Sequence, residues 1–107
     1  MTEETRKILE EFARRVRARL GDRIKHIILY GSRARGDASP DSDYDVLVVV
    51  DKRTSEIRRA IIRIESEIED EKGAFLVCLV RSESLYEENR RLEMPLYCNV
   101  EAEGVAF

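Results

Sequence analysis

The chain has no tryptophan and no glutamine, a single histidine, and only two cysteines and two prolines. Each scarcity removes a class of protein. Cys78 and Cys98 form no CxxC pair, which argues against a disulfide-stapled scaffold or a zinc ribbon. Cys78 lies inside the apolar run Leu76-Val77-Cys78-Leu79-Val80 and reads as a buried thiol. His26 has nothing near it that resembles a catalytic triad and reads as structural. No apolar stretch approaches the roughly 20 residues needed to cross a bilayer. The start, Met1-Thr2-Glu3-Glu4-Thr5-Arg6-Lys7, lacks the apolar centre of a signal peptide, so the expected location is the cytoplasm. The shortage of side-chain amides, beside many Glu, Arg and Ile, is a trait of heat-adapted proteins.

What is present points to one folded domain over residues 1–107. Hydrophobic residues make up 43% of the chain and charged residues 38%, enough apolar side chain for a core and too much for a disordered tail. The net charge of −3 is unevenly spread, with residues 1–35 at +5 and residues 36–107 at −8. Such asymmetry can favour an anionic partner at one end, but its plainer reading is a set of solvated, salt-bridged helices.

The apolar pattern alternates between two periods. Ile8, Leu9, Phe12, Ala13, Val16 and Leu20 recur at helical spacing over residues 3–20, and Gly21 stops the run. Residues 24–30 read as a strand entering Gly31-Ser32. A short helical turn is expected over Ser32 to Arg35, closed by Gly36, and then a polar loop containing Ser39-Pro40. A second strand follows at Tyr44 to Val50, then a helix over residues 55–70 with Ile57, Ile61, Ile64 and Ile68 on one stripe. Gly73 precedes a third strand, Ala74 to Val80. Ser82 is the expected N-cap of a helix running to about Arg91, and Pro95 opens a last helix ending at Gly104. Val105 to Phe107 complete the pattern as a small edge strand. The fold class is α/β (α+β): a small mixed sheet with helices packed mainly on one face, which would leave the other face open for a site.

The chemistry is concentrated in residues 31–45, Gly-Ser-Arg-Ala-Arg-Gly-Asp-Ala-Ser-Pro-Asp-Ser-Asp-Tyr-Asp. Asp43 and Asp45 are spaced i, i+2 at the head of a strand, so both carboxylates take one side while Tyr44 and Val46 take the other. Two adjacent carboxylates repel unless a cation neutralises them, and a hard-oxygen pair with open positions suits Mg²⁺ together with substrate phosphates. Gly31 allows a tight turn and close approach of backbone to ligand. Ser32 opens the helical turn, where its hydroxyl and free N–H groups can meet phosphate oxygens; Arg33 and Arg35 are next in reach.

The arrangement of Gly31-Ser32, ten further residues and Asp43-Tyr44-Asp45 resembles the signature of DNA polymerase β-type nucleotidyltransferases. The longer string resembles the minimal nucleotidyltransferase (MNT) family most closely, and the Pro95-Leu96-Tyr97 segment and the closing Glu103-Gly104-Val105 are similar to it too. The resemblance implies a nucleotidyltransferase fold. It also implies transfer of a nucleoside monophosphate, AMP from Mg-ATP, to a protein hydroxyl, with a HEPN-type toxin as partner and this chain as the antitoxin. On the same basis Gly31, Ser32 and Arg33 would bind the nucleotide phosphates, and Asp43 and Asp45 would be catalytic and hold Mg²⁺. Direct nucleic-acid or membrane binding is not expected.

One departure stands out. The family's third carboxylate lies in a Val-Asp-Leu-Val type segment of the next strand, whereas Ala74 to Val80 holds no acid. Glu71 and Glu83 flank it outside the expected position. Three outcomes stay open: an acid from another element or from a partner completes the site, catalysis is slow, or the domain is a non-catalytic module that neutralises a partner by binding it. An antibiotic-modifying transferase would need a further substrate-binding domain.

Overall fold

The computed structural model describes residues 1–107. The first helix, α1 (Glu3–Leu20), starts where Thr2 accepts a hydrogen bond from the Thr5 N–H at 3.1 Å. Glu3 and Glu4 lie in its first turn and Arg17 and Arg19 in its last, each charge matched to the helix dipole. Strand β1 (Ile24–Tyr30) leads into α2 (Ser32–Arg35), a single turn, and the chain returns as β2 (Tyr44–Val50). Helix α3 (Ser55–Lys72) is capped by Thr54, which accepts from the Ile57 N–H, and ends at Gly73 in the left-handed conformation at φ 68°. Strand β3 (Leu76–Ser82) follows. Two nine-residue helices, α4 (Glu83–Arg91) and α5 (Pro95–Glu103), precede the short strand β4 (Val105–Ala106).

The sheet order is β3-β2-β1-β4. β1 runs antiparallel to β2 and to β4, whereas β2 and β3 are parallel because α3 carries the chain back between them. This is the mixed sheet that the periodicity predicts. Alternation along the strands then sorts the core. Ile27, Leu29, Val46, Val48, Val50 and Val80 face α1 and α3, where Ile8, Leu9, Phe12, Ile57, Ile61 and Ile68 pack against them.

The opposite sheet face is not open along its length. Leu47 and Val49 are covered by Tyr86 of α4 and by Tyr97 and Val100 of α5. The two long helices therefore share one face, as expected, while the two short ones cover most of the other. The cover stops short of the β1–α2 turn and the head of β2, where Gly31 and Asp45 stay partly exposed. β3 begins and ends two residues later than its apolar run implies. The Tyr44 N–H bonds to the Phe75 carbonyl at 2.9 Å as the strands come together, and Ser82 both ends β3 and caps α4 by accepting from the Leu85 N–H.

Candidate functional site

Gly31 has φ 78° and ψ −160°, a combination that side chains bearing a Cβ rarely adopt. It also lies against β2, since a Cβ at this position would stand 2.6 Å from Asp45 Oδ2. The Gly31 carbonyl accepts from the N–H groups of Ala34 and Arg35, both at 3.1 Å, which winds α2 tightly. Gly36 closes that turn at φ 87°, donating to the Ser32 carbonyl at 2.9 Å. The N–H groups of Ser32 and Arg33 are the first of the turn and have no helical acceptor behind them.

Asp45 is half-buried on the sheet face opposite Tyr44, which is in the core. Its strand neighbours are Tyr30 on β1 and Val77 on β3. Burial raises the Asp45 carboxyl above its ordinary value, the negative charge of Asp43 adds to the effect, and Arg35 opposes it. The Tyr30 hydroxyl is pushed up by burial first and by the Asp45 charge second. Asp43 is exposed at the mouth of the strand. The structure thus brings Gly31, Asp43 and Asp45 together, with Ser32 beside them.

Arg33 takes a different place from the one its sequence position alone indicates. Its Nε and Nη2 donate to the Ser42 carbonyl at 3.2 and 2.8 Å, and Nη2 also reaches the Pro40 carbonyl at 3.2 Å. The guanidinium lies 4.2 Å from the centre of the Tyr44 ring. Arg33 therefore ties the glycine turn to the loop that delivers Asp43, and the Ser39 N–H adds a bond to Ser42 Oγ at 3.0 Å. A polar cleft of about 360 Å³ adjoins this loop, lined by Arg33, Pro40, Asp41, Ser42, Lys72 and Phe75 among others, with Asp43 and Asp45 outside its lining.

A residue that the sequence marked only as part of the closing Glu103-Gly104-Val105 segment, with no role, completes the turn. Glu103 Oε1 accepts from the Gly31 N–H at 3.1 Å, and Arg35 Nη1 lies 3.0 Å from both Glu103 carboxylate oxygens. Arg35 Nε meets Asp37 Oδ2 at 3.1 Å. On β3 the side chains that share the Asp45 face are Val77, Leu79 and Arg81, and none is acidic. Glu71 is held by Arg15 of α1 at 2.7 and 2.9 Å, and Glu83 opens α4 at the far end of the parallel strand pair. No three Asp, Glu, His or Cys side chains converge as a metal cage. Two carboxylates remain, enough to hold one hard cation that keeps its other positions for water and phosphate.

Comparison with known proteins gives the family and the fold. The profile of the nucleotidyltransferase domain matches residues 6–94. The chain is 34% identical over 98 residues to MJ0604 of Methanocaldococcus jannaschii, assigned as a protein adenylyltransferase, spanning 92% of each chain. It is 40% identical over 60 residues to MJ0141 of the same organism, also assigned as a protein adenylyltransferase, over 55% of this chain and 61% of that one. A Sulfolobus solfataricus structure assigned as a nucleotidyltransferase shares the fold with a TM-score of 0.59 at 20% identity, over 98% of this chain and 83% of that one. A toxin–antitoxin structure with AMP-PNP aligns with a TM-score of 0.60 at 16% identity, over 91% and 70%. The complex of a tri-AMPylated Shewanella oneidensis HEPN toxin with its MNT antitoxin aligns at 0.58 and 14%, over 95% and 70%.

Proposed function

Because the chain belongs to the nucleotidyltransferase family, we propose that it transfers AMP from Mg-ATP to a hydroxyl of a partner protein, a HEPN-type toxin that it thereby silences in the cytoplasm. The observation that carries this reading is the contact of Gly31 with Asp45, which sets a phosphate-binding turn against a carboxylate pair. Without a Cβ, Gly31 leaves the Asp45 carboxylate its place against the turn. The Ser32 hydroxyl and the leading N–H groups of α2 would bind the outer phosphates. Arg33 serves the same end by holding the loop in register, so that Asp43 stays beside Asp45.

Asp43 and Asp45 would hold Mg²⁺, which when bound supplies neutralisation of triphosphate charge. Burial first and the Asp43 charge second raise the Asp45 carboxyl, and a bound cation would offset both. In the transfer, the acceptor oxygen bonds to the α-phosphorus, the bond to the bridging oxygen breaks, pyrophosphate leaves, and the proton of the acceptor hydroxyl passes to water. With Val77 beside Asp45 on β3, the chain offers no third carboxylate to draw the proton from the acceptor. The reaction would then be slower than that of a three-acid site.

That same valine favours a second reading, a nucleotide-binding module that neutralises its partner by occlusion. One experiment separates the two. ATP labelled at the α-phosphate is incubated with Mg²⁺ and lysate of the source organism, and label on protein is compared between wild type and the Asp43→Asn/Asp45→Asn double variant. A labelled band that requires both aspartates is expected. Equal labelling by the double variant would remove the metal assignment, and nucleotide binding without labelling, with an acceptor shown to be bound, would support occlusion.

A further inference from the structure

We propose that Glu103 is a positioning residue of the phosphate-binding turn: by accepting the Gly31 N–H and pairing with Arg35, it sets the geometry in which Ser32 meets the nucleotide. The inference rests on the nucleotide-binding reading of that turn. Its first support is the contact itself. The N–H of Gly31 leaves β1 after the last paired residue on the β4 side, Leu29 opposite Val105, so no sheet neighbour accepts it. A carboxylate supplies the acceptor instead, and a charged acceptor holds an N–H more firmly than a neutral one. Arg35 spans both oxygens of the carboxylate, which offsets a negative charge that would otherwise stand close to the phosphates.

The second support is independent of the contact. The backbone at Glu103 is held from both directions. Before it, α5 closes with the Gly104 N–H on the Val100 carbonyl at 2.8 Å. After it, Val105 and Ala106 pair with Leu29 and Ile28, and the Phe107 N–H bonds to the Ile27 carbonyl at 2.8 Å. Gly104 is what lets the helix end settle this close to β1, since a Cβ there would stand 2.7 Å from Ile28 Cγ2. Backbone held in this way keeps the Glu103 carboxylate within reach of the Gly31 N–H. The carboxylate frames the turn.

The test uses the full chain, its Glu103→Ala and Glu103→Gln variants, calorimetric titration with Mg-ATP, and residue-resolved amide exchange. Glu103→Ala is expected to bind Mg-ATP about tenfold more weakly, the scale of one charge-assisted hydrogen bond. Its Gly31 amide should lose protection while those of Ile27 and Leu29 keep theirs. In Glu103→Gln the side-chain oxygen still accepts the N–H, so most of the affinity and the Gly31 protection should return; a role of the negative charge alone would give no such rescue. Equal or tighter Mg-ATP binding by a folded Glu103→Ala variant would overturn the proposal, since it would mean that the carboxylate merely occupies the phosphate position. Unchanged Gly31 exchange would overturn it as well, even if wild type binds no Mg-ATP, an outcome that would separately defeat the nucleotide reading. If the alanine variant does not fold, Glu103→Asp draws the carboxylate short of Gly31 with its charge kept. The same loss is expected there, and undiminished affinity would overturn the proposal.

Discussion

At Gly31 two constraints coincide in one residue, a positive φ and a Cβ position taken by Asp45 Oδ2. Either alone disfavours alanine. Gly31→Ala should destabilise the fold by about 1–3 kcal/mol through backbone strain and should abolish Mg-ATP binding, because relief of the clash displaces Asp45. Denaturant unfolding and calorimetric titration check the two effects separately. Asp45 yields a prediction of opposite sign. Its carboxyl lies above the ordinary value of 3.8, chiefly through burial and then through Asp43. A raised carboxyl favours the fold in its protonated form, so that contribution is present below 3.8 and is lost as pH rises through the folded value. Asp45→Asn should therefore melt above wild type at neutral pH, and the gap should close on acidification. Scanning calorimetry in metal-free buffer measures this, and a less stable Asn variant at neutral pH would contradict it. Gly31, Ser32, Asp43 and Asp45 were legible because spacing within fifteen residues forces them together. Glu103 was not legible in the same way. It reaches Gly31 across 72 positions, and only the path of α5 and β4 brings it there.

Among the elements, the periodicities were the readable part. The isoleucine stripe of α3 and the apolar face of α1 are buried as their spacing implies. The limits that moved are those set by partners rather than by composition. β3 starts at Leu76 because the parallel register with Tyr44 starts there, and α3 continues to Lys72 because no breaker precedes Gly73. The cover of the second sheet face was hidden for another reason. α4 buries only Tyr86, and α5 only Tyr97 and Val100, too few apolar positions to advertise a packed face. The loop between α2 and β2 owes its shape to Arg33. A planar, forked guanidinium meets two carbonyls while lying over Tyr44, a combination that an ammonium group does not reproduce. Arg33→Lys should therefore accelerate amide exchange across residues 37–43 while leaving α1 and α3 unchanged. Hydrogen-exchange mass spectrometry reads this directly, and unaltered loop protection would remove the role given to Arg33.

For the whole molecule, the two sides of the sheet are unequal. The α1–α3 side belongs to a cluster of 21 buried residues, the α4–α5 side to one of five. Local opening should follow that imbalance, with α4, α5 and β4 exchanging through a partial unfolding that leaves α1, α3 and the central strands closed. Phe12→Ala, at the centre of the larger cluster, should cost about 3–5 kcal/mol of global stability, whereas Tyr97→Ala should chiefly raise exchange in α4 and α5. Equal effects of both variants on every amide would show one cooperative unit instead. The carbonyl bonds made by Arg33 have a further meaning for binding. Since Ser42 and Pro40 are already held before any ligand arrives, the loop has little disorder left to lose on association. The heat-capacity change of Mg-ATP binding should then be small, without the large negative value that marks a segment folding around its ligand.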